Sequence, residues 1–242
     1  MKALVKFWKS ILLALLLLAF LVPAGAWAAE EIKIGVIYPL TGGAAAAGRE
    51  LRAGAELAAK IANSTMADLP MTMAQNSGVK SLGGAKIKLI FKDHEGNPTL
   101  GADQAKKLIL DDKVDGILGC YFSSVTKTVS AVCEQYGIPM INGSSTSPAL
   151  TERGFKWFWR TTPHDKWFTK DLFELLVGLT EGKVKGVKAI PKKDIINVAS
   201  ACEKTEWGSH VSALIKDFCK EYKFKLRKSF LYAAKSADLS SE

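Results

Sequence analysis

Apolar and polar positions alternate and cluster along this chain in short blocks. Ile32-Lys33-Ile34-Gly35-Val36-Ile37-Tyr38 alternates and then turns wholly apolar, as a strand does when its end is buried on both faces. Pro39-Leu40-Thr41-Gly42-Gly43 closes it. Residues 49–62 predict a helix, with Leu51, Ala55, Ala58 and Ile61 on one side. Residues 63–84 are polar, without period, and predict a loop longer than most connections. Residues 86–92 read as an alternating second strand, and Asp93-His94-Glu95-Gly96-Asn97-Pro98 stops it in a solvated turn. Thr99 is the expected cap of a helix running to Leu110.

The stretch 114–150 organises the rest. Val114-Asp115-Gly116-Ile117-Leu118-Gly119 reads as a short strand. After Cys120-Tyr121-Phe122-Ser123-Ser124, residues 125–136 place Val125, Val129, Val132 and Tyr136 at helical spacing. A strand that restarts as a Ser-capped helix leaves backbone N–H groups free at the turn. With the hydroxyls and the helix dipole they make a small anion site. Gly137-Ile138-Pro139-Met140-Ile141-Asn142 predicts a further strand, ending in Gly143-Ser144-Ser145-Thr146-Ser147-Pro148. Two such strand ends, side by side at the carboxyl edge of a parallel sheet, are where open α/β sheets bind ligands. Beyond an extended segment at 158–163, residues 165–179 predict a helix and 183–193 a basic loop. A strand at 195–199, a helix at 208–222 and a strand at 226–232 follow. Strand–helix alternation throughout predicts an α/β fold, parallel sheets flanked by helices, with the second unit incomplete.

The 242 residues exceed one domain of roughly 150. At the N-terminus, Lys2, Lys6 and Lys9 precede an apolar core at 11–22, and Ala26-Trp27-Ala28 fits a cleavage site. Residues 1–28 are therefore expected to be a secretory signal peptide, and the mature protein to be exported to the periplasm. Removing that segment lowers the net charge from +9 to +6, because it carries three lysines and no acid. Lys183, Lys185, Lys188, Lys192 and Lys193 lack interleaved aromatics and read as a solvated loop, so no nucleic-acid partner is expected.

Cys120, Cys133, Cys202 and Cys219 allow three pairings, among them the local pairs Cys120–Cys133 and Cys202–Cys219. No close CxxC spacing exists and His is scarce, so neither a metal site nor a cofactor is expected. The Gly-rich turn after the first strand lacks GxGxxG and is no dinucleotide fingerprint. No GxSxG elbow accompanies His94, His164 or His210, so an enzyme is not expected.

Taken together, several stretches resemble one family. They are Ile34-Gly35-Val36-Ile37-Tyr38-Pro39-Leu40-Thr41-Gly42, the turn from Asp93 to Pro98, Gly119 with the residues up to Ser124, Tyr136-Gly137-Ile138-Pro139-Met140-Ile141, and Ser145-Thr146-Ser147-Pro148-Ala149-Leu150-Thr151. In this order and spacing they resemble type I periplasmic solute-binding proteins of the leucine/isoleucine/valine-binding kind, which serve ATP-driven (ABC) importers. The resemblance implies a two-lobed fold closing over its ligand about a hinge. The expected division is 29–157 for the first lobe, 158–163 for the hinge segment and 164–242 for the incomplete second lobe. It implies an amino acid or related small carboxylate or amide as ligand, and a membrane permease as partner. A sensor of the same fold, acting on a signalling partner, is the alternative.

Carried over by position, Ser123, with Ser124 beside it, would hold the ligand carboxylate. The Ser145 carbonyl would take the ammonium, and Thr146 would touch the head group. Trp207 stands where the family usually has Tyr, on the second lobe. Ala47 replaces a common aromatic, which implies a wider side-chain pocket. The acidic partner of the ammonium is expected beyond Glu242.

Overall fold

The computed structural model describes residues 31–234; the expected signal peptide, 1–28, lies outside the described residues. Within them, one compact unit comprises 31–32 and 59–87, and a second comprises 33–58 and 88–234. In the smaller unit the expected loop folds into two single 3₁₀ turns, Thr72–Ala74 and Lys80–Leu82, and a bridge from Val79 to Ala85. Buried Ala62, Ala74 and Ala85 give it a core of small side chains. Asn63 clamps it by donating to Ile87 O and accepting from Ile87 N, each at 2.7 Å. The backbone is thus satisfied without a long regular element, which is why no period is visible there.

A five-stranded sheet and a two-stranded sheet follow from β1 (Ile32–Tyr38), α1 (Ala45–Asn63), β2 (Ile87–Asp93), α2 (Pro98–Leu110), β3 (Gly116–Gly119), α3 (Ser123–Tyr136), β4 (Met140–Asn142), β5 (Phe158–Arg160), α4 (Asp165–Glu181), α5 (Lys192–Ile195), β6 (Asn197–Glu203), α6 (Glu206–Glu221) and β7 (Lys225–Tyr232). The larger sheet has the order β2-β1-β3-β4-β5, and β1/β3, β3/β4 and β4/β5 pair parallel. Chain direction across it reverses between β1 and β3, the switch point outside which α/β sheets hold ligands. Its core takes Ile37 and Ile117 from the strands, Leu108 from α2, and Val125, Val129 and Val132 from the buried stripe of α3. The smaller sheet, β6 parallel to β7, is covered by Phe173 of α4 and Phe218 of α6, with the Phe173 and Phe224 rings edge to face at 5.6 Å.

Four local expectations are corrected. The cap of α3 is Phe122, not a serine: no side chain accepts at that end, and Ser123 and Ser124 are the first helical residues. Asn97, not Thr99, caps α2, accepting from the Thr99 and Leu100 amides, with Pro98 preset for the first helical position. His94 is not in a solvated turn. It is fully buried, its Nδ1 accepting from the Gly96 amide at 2.9 Å and its ring edge-on to Phe122. The strand expected at 195–199 begins later, at Asn197, because Lys192–Ile195 forms a helical turn, and it runs on to Glu203. The segment 158–163 contains β5, whose Phe158 pairs with Met140 and whose Arg160 pairs with Asn142.

Candidate functional site

The turn after β3 is held by backbone geometry that only glycine accepts. Gly119 has φ +147°, and a Cβ there would lie 2.4 Å from Ile37 O. Beyond it, Thr126 N–H is the first amide of α3 to find an intrahelical acceptor, Phe122 O at 2.9 Å. The amides of Ser123, Ser124 and Val125 precede that bond, and Phe122 offers them no side-chain oxygen. The positive end of the helix dipole is therefore open.

Asn142, fully buried at the end of β4, joins this turn to the next. Its amide donates to Gly119 O (2.9 Å) and Cys120 O (3.0 Å), and its Oδ1 accepts from Ser145 N (2.9 Å) and Ser144 N (3.3 Å). Hydroxyls tighten the same seam: Ser144 Oγ donates to Cys120 O at 2.8 Å, and Ser145 Oγ lies 2.6 Å from Thr126 Oγ1. Ser123 Oγ accepts a long bond from Ser147 N–H, at 3.4 Å. Across from these loops, Thr146 O accepts from the Asp165 amide (2.9 Å), and Asp165 Oδ1 accepts from Trp207 Nε1 (3.1 Å). Lys127 of α3 and Glu206 of α6 form an ion pair at 3.1 Å, a second tie between the sheets.

These elements enclose a cavity of about 320 Å³ lined by residues 121–124 and 144–146 with Asp165, Glu203, Thr205 and Trp207. That volume is at the small end of ligand pockets and suits a molecule of metabolite size. Ser123, Ser124, Ser145, Thr146 and Trp207 all line it, so the structure brings together the five residues singled out from the sequence. The Ser145 hydroxyl is engaged by Thr126 Oγ1 and Tyr121 O. Ala47, in the first turn of α1, is not among the lining residues.

Sequence reasoning missed Asp165, Glu203 and Asn142. The first two are acids at an element edge, and the third reads as an ordinary turn residue.

The four cysteines are unbridged and buried. Burial pushes the Cys120 thiol well up, with Cys133 adding to the effect, so this sulfur beside the turn is no nucleophile. Among the described residues no group of His, Cys, Asp and Glu is arranged to hold a metal ion.

Comparison with known proteins decides the family, for a family model described as periplasmic binding protein matches residues 31–242. The chain belongs to the periplasmic binding protein family.

A Leu/Ile/Val-binding protein homolog 7 of Brucella suis is 27% identical over 224 residues, covering 92% of this chain and 51% of the relative. A Leu/Ile/Val-binding protein homolog 3 of Brucella melitensis is 33% identical over 135 residues, 56% of this chain and 33% of that one. The leucine-binding protein LivK of Thermotoga maritima superposes with a TM-score of 0.66 at 21% identity, over 87% of this chain and 51% of its own. A solute-binding protein of Rhodopseudomonas palustris, solved with 3,4-dihydroxybenzoic acid, gives 0.64 at 20%, over 84% and 47%. These likenesses show the type I fold, and a family of binding proteins rather than enzymes. The periplasmic binding chain described here spans about half the length of the curated relatives it matches.

Proposed function

We propose that this chain is the extracytoplasmic substrate-binding component of an ABC importer. It takes an amino acid of branched-chain type, or a related small carboxylate or amide, in the periplasm and delivers it to a membrane permease. In this reading the first lobe (29–157) and the second (164–242) shut over the ligand about the 158–163 segment.

One observation carries the reading. The open N-terminus of α3 and the hydroxyl-bearing end of β4 share a single cavity with Trp207. The Ser123 and Ser124 amides and hydroxyls would hold the ligand carboxylate, where the helix dipole favours negative charge. Thr146 would touch the head group, the Ser145 carbonyl would accept from an ammonium, and the Trp207 ring would supply area and a cation–π face. The names of the Brucella relatives, and a LivJ of Streptococcus pneumoniae solved with isoleucine, support the amino-acid class.

Calorimetry of the full-length protein against the proteinogenic L-amino acids tests the proposal. At least one is expected to bind, and Ser123→Ala with Thr146→Ala to weaken it at least ~100-fold without altering the melting cooperativity. Binding unaffected by the double substitution would sink the assignment, as would turnover of the bound solute.

A further inference from the structure

The end of the smaller sheet away from the cavity carries a charge pattern that the binding site does not use. β6 runs from Asn197 to Glu203, whose residue lines the cavity, so the start of the strand lies roughly 20 Å away. There the chain around α5 meets the chain entering β7. Lys225 N–H donates to Ile196 O at 2.8 Å, and Lys192 Nζ donates to Tyr222 O at 3.2 Å and stands 5.1 Å from the centre of the Phe224 ring. Residues 181–197 and 220–225 thus share one end of the sheet, with eight lysines against Glu181, Asp194 and Glu221. All eight lysines are exposed. Glu181 is engaged by Lys183 at 2.7 Å, and among the described residues no carboxylate pairs with Lys185, Lys188, Lys193 or Lys223.

This end is not only basic. Lys183-Val184-Lys185-Gly186-Val187-Lys188-Ala189-Ile190 intersperses lysines with apolar and small residues. Val187 N–H closes a turn on Val184 O at 3.1 Å, with Gly186 at φ +79° as the third residue, and Val187 is left 47% exposed. An apolar side chain set among long-stemmed cations suits a boundary between charge and hydrocarbon. Lysines act as point charges without the fixed fork of arginine, which fits a diffuse field of phosphates better than one particular carboxylate. The loop 183–193 has no aromatic on which the bases of a nucleic acid could stack. We propose that this basic end docks on an anionic phospholipid surface, its lysines among the phosphate head groups and Val187 dipping below them. The contact lies at the opposite end of β6 from the cavity, so membrane binding and ligand binding are compatible. The proposal holds whichever ligand the cavity takes.

The test is sedimentation of the full-length protein, processed as in the cell, with vesicles of phosphatidylcholine alone or mixed with phosphatidylglycerol. Binding to the mixed vesicles is expected to be at least ~10-fold tighter than to the neutral ones, and to weaken at least ~10-fold as ionic strength rises from about 0.05 to about 0.5 M. Combining Lys185→Gln, Lys188→Gln and Lys193→Gln should lower partitioning at least ~30-fold, and Val187→Asn about 3-fold. Every variant keeps the same N-terminus, so any contribution of the first residues cancels. Equal partitioning onto both vesicles overturns the proposal, as does a triple variant that binds like the unaltered protein, or no sedimentation with either vesicle. If soluble poly-L-glutamate binds as tightly as the mixed vesicles and Val187→Asn changes neither, the surface is one for acidic proteins and the lipid assignment falls. Should the triple variant not fold, the two vesicle types and the salt series on the unaltered protein decide.

Discussion

Two strand-to-helix turns face the same cavity, and they treat their helix ends in opposite ways. After β3, the α3 cap is Phe122, which has no oxygen to offer, so the Ser123, Ser124 and Val125 amides stay available. After β6, Thr205 caps α6, its Oγ1 accepting from Gly208 N at 3.1 Å, and the acidic Glu206 sits in the first turn. The second helix meets its dipole with a threonine cap and a first-turn acid; the first has neither. Both ends line the cavity through their neighbouring residues, yet only the α3 end keeps anion-binding capacity. A strand–helix crossover becomes a binding element by what its cap lacks.

The comparison breaks most completely at Asn142, which has no counterpart in the β6–α6 region. Asn142→Leu fills similar volume but strands Gly119 O, Cys120 O and the Ser144 and Ser145 amides. Some of these groups regain water as the loops spread, so a loss of about 3–4 kcal/mol is expected, with ligand binding abolished. Chemical denaturation of the variant measures it. A loss under ~1 kcal/mol would show that the two loops hold their places without the amide.

Giving α3 a side-chain cap, as α6 already has, should close its site. In Phe122→Asp, the new carboxylate accepts from the helix amides that a ligand carboxylate needs, and it repels that carboxylate as well. Affinity for the preferred amino acid is expected to fall at least ~100-fold, about 3 kcal/mol. The gained cap and the lost packing of Phe122 against Tyr121 and His94 oppose each other, so affinity rather than melting temperature is the readout. Undiminished binding would show that the amides of α3 are not the anion site.

How far this contrast was legible in the sequence depends on distance along the chain. The valine stripe of α3 and the alternation of β1 and β2 are written in neighbouring positions, so period alone recovers them. The hydroxyl cluster is local too, and the strand-then-helix pattern places both of its halves at one sheet edge. Asp165 is different. After Pro163-His164 it looks like an ordinary acid at a helix start, and its meaning comes from Trp207, forty-two residues on. Phe122 reads as core because an apolar cap has no sequence signature, and a serine beside it fits the usual rule better. His94, set among Asp93, Glu95 and Gly96, has the composition of an exposed turn. It is buried because the rings and helices that cover it arrive from later in the chain.

That burial sharpens the comparison through pH. Desolvation pushes the His94 pKa down from 6.5 to about 4, even though the neighbouring Asp93 charge pulls it up. As pH falls below about 6.5 the unfolded chain takes up this proton, and the folded protein does not until about 4. Stability therefore drops across that window and levels off below it, by on the order of 3 kcal/mol. The loss belongs to the β3–α3 region, against whose Phe122 the ring packs; His210 of the other region lies at the α6 surface, Nδ1 2.8 Å from Glu206 O. Melting curves from pH 7 to 4 on His94→Asn, which keeps an acceptor for the Gly96 amide, should lack this part of the slope. An unchanged slope would assign the acid sensitivity elsewhere.

The smallest effect is expected from the opposite operation, uncapping α6. Thr205→Ala removes the acceptor for Gly208 N–H and nothing from the core beneath, where Phe218 and Cys219 hold the helix on β6 and β7. The expected cost is about 1 kcal/mol, a drop of roughly 2–4 °C in melting temperature, with Thr205→Ser restoring most of it. The freed amide cannot readily turn to a ligand, because Gly208 is pressed against the end of β6: a Cβ there would stand 2.1 Å from Glu203 O. Affinity should accordingly move far less than in Phe122→Asp. If Thr205→Ala instead raised the affinity for a carboxylate, the α6 terminus would be a latent anion site masked by its own threonine, and the two helix ends would differ in one side chain rather than in kind.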